Sequence, residues 1–255
     1  MVKFGACVEM IFSDIQFLKR LERVQESGLS AFEFWGWMEK DIEAIDRSRM
    51  ELGLRVTSFV AQPQPASLTM KDVSTEFQRA VMTTLDVAQK LECDTIIAPV
   101  GLGRGSIELS RKEQLRNAEA NFRAVVTMLE DADVTMVVEP VNPMDHEGCF
   151  LTRCDEGAQL IRAIKSPNVK LLYDFYHQQI SEGNLIDNAR KYFDLIGLFH
   201  VGDVPGRHEP GTGEINYPNV FRFLDSQGYK KHVSLEFVPT IDPVEAVRRT
   251  VLMAK

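Results

Sequence analysis

Four apolar runs in the second half of the chain each stop at one group that can bind a cation or move a proton. They are Thr135-Met-Val-Val-Glu139, Leu171-Leu-Tyr-Asp174, Gly197-Leu-Phe-His200 and Val233-Ser-Leu-Glu236. A barrel of parallel strands would gather the four tips at one mouth. Three ionised carboxylates do not sit together without a compensating cation, so the set predicts a divalent metal and with it an enzyme. One imidazole and three carboxylates suit Mn²⁺, Mg²⁺ or Co²⁺, and zinc is also compatible. Any one tip alone would read as an exposed polar end of a strand. Four in succession favour a site.

Other residues lie within reach of that mouth. His177 follows Asp174 by three positions, which predicts a loop over the mouth where it meets a substrate oxygen or simply solvent. Arg207 sits in Val204-Pro-Gly-Arg-His-Glu-Pro-Gly211, a stiffened loop after the seventh run, and its guanidinium suits a carboxylate or polyol. Trp35 and Trp37 follow the second run and fit sugar stacking, a lid or core packing alike. Glu33 on that run is placed to support a ligand from inside the barrel. His146, His208 and His232 are not expected ligands, although His208 could support Arg207. Phe4, Phe12 and Phe59 read as core.

The elements that must position these groups alternate regularly. Strand-like runs fall near 3–9, 31–35, 54–60, 94–100, 134–139, 169–174, 195–201 and 231–237. Helix-like stretches fall near 13–27, 38–52, 72–92, 112–132, 153–166, 184–194, 217–228 and 242–254. Phe77, Val81, Leu85, Ala88 and Leu91 show the helical spacing. Gly28 and Gly53 sit where helix C-terminal caps belong, and Ser166-Pro167-Asn168 ends another helix. Eight strand–helix units in order predict a parallel (β/α)₈ barrel, a TIM barrel, spanning 1–255 as one domain. An open doubly wound sheet is the competitor, but no glycine-rich phosphate loop follows the first run. Gly101-Leu-Gly-Arg-Gly105 has GxGxG spacing and reads as a flexible βα loop rather than a phosphate cradle.

The net charge of −8 weighs against nucleic acid or an anionic membrane as partner. No run is long and apolar enough to span a bilayer, and no secretory signal is evident. The four cysteines form no CxxC pair, and Cys7 and Cys93 fall in or beside apolar runs. A reduced cytoplasmic protein is the expectation.

Glu139-Pro-Val-Asn142, Asp174-Phe-Tyr-His177, the stretch from Val204 to Tyr217 and Ser234-Leu-Glu236 resemble the hydroxypyruvate isomerase family. That family belongs to the xylose-isomerase-like barrel superfamily, with the ketose 3-epimerases and an AP endonuclease. The resemblance implies that Glu139, Asp174, His200 and Glu236 hold the metal. It implies that Glu139 and Glu236 are the catalytic proton-transfer pair and that His177 and Arg207 bind substrate oxygens. Many hydroxypyruvate isomerases carry glutamine where this chain has His200, and histidine there resembles the epimerases. The implied activity is metal-dependent aldose–ketose isomerisation of a small hydroxycarbonyl compound, preferably hydroxypyruvate to tartronate semialdehyde. A ketose 3-epimerase on the same site is the alternative, and a non-catalytic sugar-binding subunit is the alternative from another class. An endonuclease fits poorly, because all five histidines come after residue 145. A homo-oligomer is expected by analogy alone.

Overall fold

The structure is a computed structural model describing residues 1–65, 67–101 and 109–255. The GxGxG segment therefore lies outside the described residues beyond Gly101. Eight strands close a parallel barrel in chain order: β1 Lys3–Cys7, β2 Ala31–Phe34, β3 Arg55–Val60, β4 Thr95–Ile97, β5 Thr135–Val138, β6 Val169–Asp174, β7 Ile196–Val201 and β8 His232–Leu235. β8 pairs with β1 from Lys3 opposite His232 to Ala6 opposite Leu235, which completes the ring.

The helices are α1 Phe17–Glu26, α2 Ile42–Glu51, α3 Ser74–Lys90, α4 Arg111–Arg123, α5 Val126–Asp131, α6 Cys154–Ile164, α7 Phe175–Ser181, α8 Leu185–Lys191, α9 Tyr217–Ser226 and α10 Pro243–Leu252. Gly28 and Gly53 follow α1 and α2 with φ of 88° and 66°, the left-handed turn that ends a helix without a Cβ clash. α4 starts in a capping box in which Ser110 and Glu113 exchange backbone bonds.

Two expectations are corrected. The stretch 112–132 is two helices, interrupted at Ala124, whose carbonyl accepts Gln78 Nε2 from α3 at 2.9 Å. His177 is in no loop: α7 begins directly after β6, because Asp174 ends the strand and caps the helix by accepting Tyr176 N–H at 2.8 Å.

Strand alternation sorts the side chains. Outward residues pack on helices, as Phe34 does on Phe17 with ring centroids 5.7 Å apart. An inner cluster holds Ile97, Val137, Leu172 and Leu198. Val137, Leu172 and Leu198 each precede a polar tip by two residues, so an apolar layer lies beneath Glu139, Asp174 and His200 and denies water from below.

Candidate active site

The four tips converge. Glu139, Asp174, His200 and Glu236 each offer one donor atom, and these atoms all lie within 4.8 Å of one another. Donors about 2.0–2.6 Å from a shared ion fall inside such a spread. Glu139 Oε1 is buried with no hydrogen-bond partner, as an uncommitted ligand atom would be. The donor chemistry and this orphan oxygen fit a divalent ion held by the four residues. Convergence is not a general property of strand-end carboxylates here. Glu9, beyond β1, is taken up by Arg20 and Lys40, each at 2.7 Å.

Glu236 is gripped at both oxygens. Oε2 meets His200 Nδ1 at 2.8 Å and Arg207 Nη2 at 2.6 Å. Oε1 accepts Trp35 Nε1 at 3.1 Å. Burial opposes the charge of Glu236, but Arg207 and His200 outweigh it and hold the carboxyl well below its usual range. Glu139 differs. Burial and then the Glu236 charge push it up to about 8, only partly offset by His200 and Arg207. Without an ion the two carboxyls thus share one small space with opposed proton affinities.

His177 is buried on the first turn of α7. Asn142 N–H points at its Nδ1 from 3.2 Å, so Nδ1 accepts and Nε2 carries the hydrogen. Nε2 lies 3.6 Å from Asp174 and 3.8 Å from Glu139. Burial lowers its pKa to about 4, which leaves a neutral N–H donor facing the site at neutral pH.

Arg207 comes from the loop after β7. Its Nη2 also reaches Asp174 Oδ2 at 2.9 Å, so a guanidinium supplies positive charge among the carboxylates, and its Cζ lies over the Tyr176 ring, 5.0 Å from the centroid. Asp203 fixes the loop by accepting the N–H groups of Val204, Gly211, Gly213 and Ile215 at 2.8–3.1 Å. Gly213 cannot be larger, since a Cβ there would sit 2.0 Å from Val204 O. Val238 N–H donates to Arg207 O at 2.8 Å, and His208 Nδ1 lies 2.8 Å from Val238 O, tying the loop to the end of β8.

The two tryptophans part company. Trp35 stands half-exposed at the mouth on Glu236, whereas Trp37 Nε1 turns to Thr84 of α3 at 3.3 Å and is a packing residue. His232 lies at the opposite end of the barrel, and the His146 ring lies against the His177 ring, 5.5 Å between centroids. Sequence reasoning missed the Trp35–Glu236 bond, the Asp203 anchor and the grip of Asn142 on His177. Glu33 on β2 and Trp35 just beyond its end are two apart and so point the same way, a period-two signal that could have linked both to the mouth.

A profile of the xylose isomerase-like TIM barrel family matches residues 21–254. The hydroxypyruvate isomerase of Escherichia coli is 29% identical over 250 residues, covering 94% of each chain. The 2-oxo-tetronate isomerase of Cupriavidus necator is 28% identical over 246 residues, again 94% of each. A solved structure described as an AP endonuclease, family 2, from Brucella melitensis superposes with a TM-score of 0.92 at 29% identity, over 99% of both chains. With its family profile spanning nearly the whole barrel, the chain belongs to the xylose isomerase-like TIM barrel family.

Proposed function

We propose that the protein is a divalent-metal-dependent isomerase that shifts the carbonyl of a small hydroxylated 2-oxo acid, with hydroxypyruvate and tartronate semialdehyde as the preferred pair. The observation that carries this is the placing of Glu139 and Glu236 donors within 4.8 Å of each other and of Asp174 and His200. Relatives named hydroxypyruvate isomerase and 2-oxo-tetronate isomerase support the substrate class.

Glu139, Asp174, His200 and Glu236 would hold the ion, which supplies Lewis-acid stabilisation of negative charge on the substrate oxygens. One glutamate takes a proton from C3 of hydroxypyruvate, giving an enediolate, and a proton is returned to C2. The hydroxyl proton passes from the C3 oxygen to the C2 oxygen, so atoms balance with no net redox change. Trp35 holds the Glu236 carboxylate in place. His177 offers its Nε2 hydrogen to a substrate oxygen, and Arg207 takes the substrate carboxylate. The favoured ion is Mn²⁺, Mg²⁺ or Co²⁺.

A ketose 3-epimerase is the second reading, favoured by histidine rather than glutamine at position 200. Product analysis by NMR separates them: a carbonyl moved along the chain supports the isomerase, and one inverted centre supports the epimerase. Conversion of neither acids nor ketoses, with any of the named ions, would leave the sugar-binding alternative.

A further inference from the structure

We propose that Glu33 is a positioning residue, which holds His200 by Nε2 so that Nδ1 alone is turned toward the four-residue site. This rests on the reading that those residues bind a divalent ion. It assigns a role to a residue none of whose atoms is needed in the proposed proton transfer.

The geometry is specific. Glu33 is fully buried on β2, on the far side of the His200 ring from Glu236. Its Oε2 lies 3.1 Å from His200 Nε2, while His200 Nδ1 lies 2.8 Å from Glu236 Oε2. Nε2 is buried and has no well-aligned hydrogen bond among the described residues, so its 3.1 Å charged contact with Glu33 Oε2 is the contact that orients it. The same Glu33 oxygen accepts Ser58 Oγ from β3 at 2.6 Å, which fixes the carboxylate independently of the histidine. A buried carboxylate is costly unless its partners are built for it. The pairing across β2, β3 and β7 therefore has to serve something beyond packing. Histidines that ligate metals donate their other nitrogen to such an oxygen, which sets ring orientation and raises the basicity of the ligating atom. Trp35, two residues on, meets Glu236. One strand edge thus steadies both the His200 and the Glu236 members of the site.

The test is calorimetric titration of the chelator-stripped full-length protein with Mn²⁺, comparing the parent with E33L, E33Q and S58A. The expected result is one ion per chain and a Kd raised about 10- to 100-fold in E33L. E33Q is expected to recover part of the loss, because its amide oxygen can still accept from Nε2. S58A should show a smaller rise. Histidine ¹⁵N spectra of the Zn²⁺-loaded parent, with His200 assigned through H200Q, provide a readout that needs no Glu33 variant to fold. They should show Nε2 protonated and Nδ1 not. A Kd in E33L within twofold of the parent, or a hydrogen on Nδ1 in the loaded parent, overturns the role of Glu33 while leaving the metal reading standing. Two ions per chain, one lost in E33L, would make Glu33 a ligand and equally overturn it. A parent that binds neither ion removes the metal reading itself, and this inference with it.

Discussion

Arg207 Nη2 sits 2.6 Å from Glu236 Oε2 and draws Asp174 in at 2.9 Å. The guanidinium and a divalent ion would therefore both neutralise these carboxylates. Removing one partner of such a buried cluster leaves charge uncompensated, at a cost of about 3–5 kcal/mol. R207M should unfold at markedly lower urea in EDTA than the parent. Saturating Mn²⁺ should raise its midpoint by more than it raises the parent's. Equal Mn²⁺ effects on the two proteins would contradict this shared role.

Asp203 makes no ion pair among the described residues, yet both its oxygens are filled by N–H groups of the loop that presents Arg207. D203N replaces an acceptor with a donor and leaves N–H groups unsatisfied, a loss of about 1–3 kcal/mol in urea unfolding. Because the loop delivers the group proposed to take the substrate carboxylate, KM should rise more than kcat falls.

Trp35 donates to Glu236 from the rim. W35F keeps an aromatic side chain but removes the pyrrole half of the indole and with it the one bond to a charged group, worth about 1.5 kcal/mol or roughly tenfold in rate. Steady-state kinetics should show the loss in kcat. A change confined to KM would mean that the indole serves substrate packing instead.

His232, at the other end of the barrel, is held below its ordinary pKa by burial and then by Lys3 and Arg55. Its neutral form is thus favoured in the folded state. The associated stability is complete above the unfolded value of about 6.5 and declines as pH falls below it, because the unfolded chain takes up the proton first. Urea midpoints measured from pH 7.5 to 5.5 should fall less steeply for H232Q than for the parent. Parallel slopes would remove His232 as a contributor.

The barrel and the four tips were legible because each depends on local pattern: an apolar run, a polar stop, a helical spacing. Parallel strands in chain order then leave little freedom in where Glu139, Asp174, His200 and Glu236 end up. Contacts across the ring were not legible. Trp35 and Glu236 are 201 positions apart and meet only after β8 closes on β1. His177 was misplaced because Asp174 acts as strand end and helix cap at once, leaving no turn residues to mark the change. Asp203 gave no signal, since a loop aspartate looks the same in sequence whether it faces solvent or accepts four backbone bonds.

The central claim is proton transfer by Glu139 and Glu236 at one carbon pair of a small hydroxycarbonyl acid. It is tested most directly by following deuterium uptake from D₂O into hydroxypyruvate by NMR, with and without Mn²⁺, for the parent, E139Q and E236Q. The account predicts Mn²⁺-dependent incorporation at the carbon beside the carbonyl in the parent, reduced at least about 100-fold in one or both variants. Incorporation at the parental rate in both E139Q and E236Q would contradict it.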